Sequence, residues 1–248
     1  MATFVAETIT HIGTLPITNT LINTLFVDAA ILGTTFAITK KLSLFPNLLQ
    51  TAAEGVIETF YDLTYSVSQQ RAATIFPYFM TFFLFILVAN WSGLLPGVGT
   101  IGFFHHGPTD VEFIPFIRAT TSDVNTTLAL ALISAVATHM LSIKITGIKD
   151  YLSRFFSLNP INLFVGILEI VSEITKVVSL SFRLFGNIFA GEVVLVTVSG
   201  IFAFLFPLPF MFLEIIVGAV QALVFSMLTM AFMAILTTPH HTKEVNHT

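Results

Sequence analysis

The sequence predicts an all-α membrane protein with five membrane-crossing helices and one amphipathic helix lying at the surface. Three observations carry that prediction. Of the 248 residues, 55% are hydrophobic and only 10% are charged, whereas a soluble domain carries about 25% charged residues. Apolar runs recur along the chain, and about 20 such residues suffice for one crossing. Between two of these runs lies a less apolar segment whose Glu54, Glu58 and Asp62 recur every four residues. That spacing puts the three acids on one helical face.

The same composition excludes whole classes of function. A net charge of −4 argues against nucleic acid as a partner. With no cysteine in the chain, disulfides and thiolate metal sites are ruled out. The 27 phenylalanines suit lipid-facing and helix-packing surfaces. No cleavable signal pattern stands at the start, where residues 1–20 lack Lys and Arg.

In chain order, residues 1–20 form an outer-side segment, and the first span covers 21–39 before Lys40-Lys41 stops it. Residues 46–70 form the amphipathic surface helix, with Val56, Ile57, Phe60 and Leu63 turned away from its acidic face. The next span, 73–95, carries Pro77 in its first turns and closes at Leu95-Pro96-Gly97. A polar loop follows, then Asp123 or a nearby Thr caps a span over 125–146. A basic loop with Lys144, Lys149 and Arg154 leads to Asn159-Pro160, which starts a long helix over 161–206.

The length of that helix constrains its geometry. It measures about 69 Å at 1.5 Å per residue, against a hydrocarbon core of about 30 Å. Two upright spans need a polar turn, and none is present. Gly166, Gly186, Gly191 and Gly200 allow bending without a break. One long, strongly tilted helix fits better. Pro207-Leu208-Pro209 ends it, and a second long helix over 208–237 runs back with Glu214 and Gln221 as its strong polar groups. Residues 238–248 form a tail. Neither a linker nor an internal repeat divides this single membrane domain.

Charge sets the orientation. With five crossings, Lys40, Lys41, Arg71, Lys144, Lys149, Arg154 and Lys243 fall on one side, and Arg118 alone on the other. The N-terminus is then outside and the C-terminus cytoplasmic.

Arg183 lies in the middle of the long apolar helix, in company with Glu169, Glu173, Lys176, Asn187 and Glu192. An arginine at mid-membrane costs about 3 kcal/mol on insertion scales, so it faces a partner or a water-filled path. At about 100° per residue, Asn187, Lys176, Ser172 and Glu169 all fall within about 40° of Arg183. Glu173 lies about 80° off this stripe, and Glu192 near 180° in an ideal helix. A guanidinium holds its proton at any working pH, which makes it an electrostatic gate rather than a carrier. Carboxylates load and release protons when burial raises their pKa. A gate of this kind needs a mobile carboxylate to act on, and that partner is another subunit.

The segment Ser179-Leu-Ser-Phe-Arg183-Leu-Phe-Gly-Asn187-Ile-Phe-Ala-Gly-Glu192 resembles the arginine signature of subunit a of the F-type ATP synthases. Asn90 with Leu94-Leu95-Pro96-Gly97, the stretch Thr121-Ser-Asp123-Val-Asn125-Thr-Thr-Leu, and Gln221 resemble further parts of that family. The resemblance covers about 47–236. It implies a stator against which a ring of c subunits turns, each carrying one essential carboxylate. The two tilted helices then lie along the rotor ring. Arg183 is implied as the gate between two offset half-channels. Glu192, Glu214, Asn187 and Gln221 are implied on the outer route, and Glu169, Glu173, Ser172 and Lys176 on the cytoplasmic route. The peripheral-stalk b subunits and the lipid bilayer are the other implied partners. Proton is the implied ion ahead of sodium, and a bacterial inner membrane the implied location ahead of an organellar one. No metal, cofactor or bond chemistry of the chain's own is implied. The family often holds one acid and one histidine where this chain has Glu192 and Glu214.

Other readings stand beside this one. A self-contained proton-coupled transporter or ion channel predicts inverted repeats and interrupted helices, and neither is found. An intramembrane hydrolase needs a base near Ser92, and no histidine is suitably placed in sequence. Gly97-Val-Gly99-Thr-Ile-Gly102 fits the dinucleotide spacing but follows a helix rather than a strand. The His105-His106 and His240-His241 pairs read as loop or tail residues. Asp123 reads as a cap and Asp28 as a residue snorkelling near a helix end. Glu54, Glu58 and Asp62 read as a solvated face or a stalk contact.

Overall fold

Helices dominate the computed structural model, which describes residues 7–12, 15–40, 42, 46–95, 98, 101–106, 111–155, 160–201 and 207–238. Expectations for residues 1–6, Lys41, Pro96-Gly97, Asn159, residues 202–206 and the tail beyond Thr238 fall outside the described residues.

A β-hairpin of β1 (Thr8–Ile12) and β2 (Leu15–Thr18) leads into α1 (Asn19–Thr39). Thr18 Oγ1 caps α1 by accepting from the Leu21 amide at 3.3 Å. After α2 (Leu48–Ser68), Gln69 takes φ 45°, a left-handed value that non-glycine residues seldom adopt. That turn folds α2 back onto α3 (Ala72–Ser92), where the Phe60 ring lies 4.6 Å from Phe83 and 5.5 Å from Phe79. A second hairpin, β3 (Gly102–His106) with β4 (Val111–Pro115), precedes α4 (Val124–Thr146). Asp123 caps α4, its Oδ1 accepting from the Asn125 amide at 3.0 Å. Gly147, at φ 85°, ends that helix. Then follow α5 (Ile148–Phe155), α6 (Pro160–Ile201) and α7 (Pro207–Leu236). The last two each begin on a proline, which fits a first helical turn whose amide would be unbonded anyway.

Two features differ from the sequence expectation. Both hairpins fall where loop or unassigned chain was expected. In Thr8-Ile-Thr-His-Ile12 the β-branched residues suit a strand, a signal outweighed by the polarity of the segment. The basic loop contains α5, whose Asp150 in the first turn and Arg154 in the last turn complement the helix dipole.

Among the described residues, four segments are long and apolar enough to cross a membrane: Asn19–Thr39, Leu48–Ser92, Val124–Thr146 and Pro207–Leu236. α6, at 42 residues the longest helix among the described residues, extends about 63 Å and carries the charged stripe.

α3, α4, α6 and α7 form a bundle around Ile75, Phe79, Ile86, Leu184, Met230 and Met233, each almost fully buried. Contacts fix the helix directions. Asn90 meets Gly218 while Phe82 meets Phe225, so α3 and α7 are antiparallel. Gly191 meets Glu214 while Lys176 meets Phe232, so α6 and α7 are antiparallel too. One end of the bundle, the hairpin end, gathers the start of α1, the end of α3 and the starts of α4 and α7. The opposite, basic end gathers Arg71, Lys144 and Arg154.

Polar side chains tie the helices together. Ser134 and Thr229 meet at 2.8 Å, Thr127 and Ser181 at 3.2 Å, and Ser142 donates to the Leu236 carbonyl at 2.6 Å. Asn23 of α1 donates to Ser92 at 2.8 Å and to Thr120 at 3.0 Å. Asn90 donates to the Gly218 carbonyl at 2.9 Å and accepts from Thr121 at 2.6 Å. The backbones can come this close because residue 218 is glycine: a Cβ there would stand 3.1 Å from Asn90 Cβ. Interhelical bonds of this kind contribute about 0.6 to 2 kcal/mol each in a membrane.

Asn90→Leu removes two of these bonds: the Thr121 hydroxyl loses its acceptor and the Gly218 carbonyl keeps only its bond within α7. We expect it to destabilise the fold by about 1 to 3 kcal/mol. A drop in the thermal unfolding midpoint in detergent reads this out, with Tyr78→Phe, a change on an exposed position of α3, as the near-neutral comparison.

Candidate functional site on the charged face of α6

α6 has two faces of opposite character. Leu180, Ser181, Leu184, Phe185 and Ile188 are buried in the bundle. Ser179, Phe182, Arg183 and Asn187 are exposed. Arg183 Nη2 donates to Ser179 Oγ at 3.4 Å, and among the described residues no carboxylate pairs with Arg183. Beside it runs a groove of about 440 Å³ between α6 and α7. Ser172, Lys176, Ser179 and Arg183 supply its polar lining, and Leu228 and Phe232 its α7 wall. Three of the five stripe residues, Ser172, Lys176 and Arg183, thus share one cavity.

At the hairpin end the chain brings Glu192, Glu214 and Arg118 into one region. Arg118 is buried to 6% exposure, its Nε lying 3.3 Å from Glu192 Oε1. Its Nη2 reaches Glu192 Oε2 at 3.5 Å, and its Nε also donates to Ser122 Oγ at 3.1 Å. The turn formed by Thr120–Ser122 and the Asp123 cap hold this segment in place. Glu214 is also buried, and its Oε2 has no hydrogen-bond partner among the described residues. Its Oε1 lies where a side chain at Gly191 would be, 2.7 Å from the position of a Cβ. Glycine at 191 therefore makes room for the Glu214 carboxylate beside Glu192. Asn187 is exposed and Gln221 half-buried; no hydrogen bond joins either to the two acids among the described residues.

Toward the basic end, α6 meets α4 and α5. Glu173, off the stripe by helical geometry, is held by Lys176 Nζ at 2.7 Å and faces His139 Nε2 at 3.7 Å. Lys176 also lies over the Phe232 ring, 4.4 Å from its centre, an attraction that strengthens on desolvation. Glu169 lies 3.9 Å from Arg154 Nη1. Arg154 donates further to the carbonyls of Leu236 at 3.4 Å and Thr238 at 3.0 Å, tying α5 to the end of α7. The Tyr151 hydroxyl meets His139 Nδ1 at 3.0 Å. Burial, and after it the carboxylates of Glu173 and Glu169, push the Tyr151 phenol up from its ordinary value, while Arg154 pulls it down.

Sequence reasoning passed over four residues that these contacts bring in: Arg118, His139, Tyr151 and Arg154. Arg118 and Arg154 were counted only for charge. His139 and Tyr151 lie twelve apart across a helix boundary, so no periodicity links them. For His139 a signal existed in the sequence: it is a histidine inside an otherwise apolar span, and such residues mark functional positions by default.

Comparison with known proteins bears on the whole chain. A family described as ATP synthase A chain matches residues 21–234. The protein named ATP synthase subunit a from Moorella thermoacetica is 32% identical over 224 residues, covering 90% of this chain and 93% of the relative. ATP synthase subunit a 2 from Pelobacter propionicus is 33% identical, covering 90% of this chain and 89% of its own. ATP synthase subunit a 2 from Bradyrhizobium is 34% identical and covers 90% of each chain.

Removing one partner of a buried ion pair costs about 3 to 5 kcal/mol. Glu192 is partly exposed, so we expect Arg118→Ala to cost about 3 kcal/mol, the low end of that range. Arg118→Leu combined with Glu192→Gln should recover part of the loss, because no unpaired charge then remains. Thermal midpoints of the single and double variants give the coupling directly.

Proposed function

The chain belongs to the ATP synthase A chain family, and from that premise we propose that it is the proton-translocating stator subunit of a rotary F-type ATP synthase. It catalyses no bond chemistry itself. It gives protons two offset routes to carboxylates on a ring of c subunits, with Arg183 as the gate between the routes. α1, α3, α4, α6 and α7 cross the membrane, α6 and α7 strongly tilted along the ring, and α2 lies at the surface as an amphipathic helix. The N-terminus is outside and the tail cytoplasmic, in a bacterial inner membrane. The b subunits of the peripheral stalk hold the chain against the ring.

One observation carries this reading: Arg183 lies exposed on α6 without a carboxylate partner among the described residues, while acid-bearing clusters sit on either side of it along the bundle. Its partner is then outside the chain. A ring carboxylate that has given up its proton is drawn to the guanidinium, and the attraction is strong because the surroundings are apolar. Because Arg183 does not deprotonate, a proton arriving from one route has no site to occupy on the way to the other. It must board the ring and travel round. Glu192, Glu214, Asn187 and Gln221 serve the outer route, with Arg118 fixing the position of Glu192. Glu169, Glu173, Ser172 and Lys176 serve the cytoplasmic route. Both acids of the outer route are oxygen donors suited to sodium as well, but Arg118 already neutralises Glu192, which favours proton.

ATP-driven acidification of inverted vesicles, read beside passive proton leak, tests the gate. With Arg183→Ala in an assembled complex we expect pumping to be lost and passive leak to rise. Pumping at the unmodified rate overturns the proposal and favours a self-contained transporter.

A further inference from the structure

His139 projects from α4 toward α5 and α6, and the contacts around it form a chain that starts at the Arg183 groove. Lys176 lines that groove and also a second cavity of about 10 Å³ beside Glu173, close to the minimum for one water. Lys176 holds one oxygen of Glu173 at 2.7 Å, and the other oxygen faces His139 Nε2 at 3.7 Å. From α5, the Tyr151 hydroxyl meets His139 Nδ1 at 3.0 Å, its ring edge-on at 5.9 Å. The remaining charged groups near this cluster, Glu169 of α6 and Arg154 of α5, are paired with each other at 3.9 Å. α7 carries no titratable side chain between Gln221 and Leu236, and contributes Phe232 under Lys176. The His139 side chain is 26% exposed, so it connects this buried cluster to the surface.

We propose that His139 is a proton-carrying residue of the basic-end route, exchanging protons with Glu173, and that Tyr151 is the positioning residue that orients its ring. This rests on the stator reading above. Imidazole takes up and releases protons near neutral pH, which neither Lys176 nor Arg154 does in an ion pair. When His139 Nδ1–H donates to the Tyr151 oxygen, Nε2 turns its lone pair toward Glu173. A proton leaving Glu173 breaks an O–H bond and forms Nε2–H, leaving an imidazolium opposite a carboxylate. Loss of a proton from the ring to water at the basic end restores neutral imidazole. At 3.7 Å the gap exceeds a hydrogen bond, so the transfer runs over one water or a small side-chain shift. During ATP-driven pumping the same steps run backwards. Tyr151 keeps its proton throughout and serves orientation only.

The test uses inverted vesicles carrying the complete complex, with rates normalised to assembled enzyme and Arg183→Ala run in parallel. His139→Gln should lower the initial pumping rate of the assembled complex about tenfold or more and flatten its dependence on external pH. Added imidazole should restore part of the rate in His139→Ala. Tyr151→Phe removes a hydroxyl while keeping the ring, and should shift the pH profile with a loss of only a few-fold. Should His139→Gln fail to assemble, Tyr151→Phe carries the test. A rate and pH profile equal to the unmodified complex in the assembled variant overturns the inference. If Arg183→Ala alone abolishes pumping, the stator reading survives that result; if Arg183→Ala pumps normally, both fall.

Discussion

A charge on a helix set among apolar neighbours must find an opposite charge, a polar partner or water, and in this chain that requirement organises α6 and the segments packed on it. Glu169, Glu173, Lys176 and Glu192 each find a partner within the chain: Arg154, Lys176 with His139, Glu173, and Arg118. Arg183 does not, among the described residues. The exception falls near the middle of α6. The satisfied charges fix α4, α5 and the 118–123 segment against α6, and the proposed function sets a second protein against the unsatisfied one.

The rest of the fold packs behind that surface. α6 buries Leu180, Leu184 and Ile188 against the bundle, leaving its other face free. Small and hydroxyl-bearing residues let the supporting helices approach closely: Ser134 on Thr229, Thr127 on Ser181, Asn90 on Gly218. Lipid tails are as apolar as leucine, so such bonds and close packing, rather than expulsion of water, hold helices together in a bilayer. Gly191 extends the same principle to the acids at the hairpin end. Its missing side chain is the space in which the Glu214 carboxylate lies, so a backbone feature of α6 sets the distance between two acids that belong to different helices.

Much of this was legible in the sequence because membranes impose simple rules on composition. Long apolar runs, the proline and glycine stops, and the arginine signature each have one natural interpretation. The helical wheel grouped Ser172, Lys176 and Arg183, and one groove joins all three. Where the reading stopped, the reason is geometric. Helical periodicity says nothing about neighbours on other helices, so Glu173 looked peripheral although α4 and α5 enclose it. Likewise Glu192, on the far side of an ideal wheel from Arg183, gave no hint of Arg118, 74 residues earlier in the chain. The hairpins were passed over because residues 1–20 were given no secondary structure and the polar segment after α3 was read as a loop, while the strand signal of the first lay in β-branched residues such as Ile9 and Ile12.

The central claim is that the exposed stripe of α6 faces a moving carboxylate on another subunit. The chain has no cysteine, which makes site-directed cross-linking clean. A cysteine placed at Asn187, one turn from Arg183, is paired in turn with single cysteines near the carboxylate of the ring subunit, and disulfide formation is followed in intact membranes. A cysteine at Val136, exposed on α4, serves as the control. The account predicts rapid cross-linking from position 187, arrest of ATP-driven rotation once that product forms with recovery on reduction, and no product from position 136. Equal cross-linking from both positions, or none from 187 in an active complex, contradicts it.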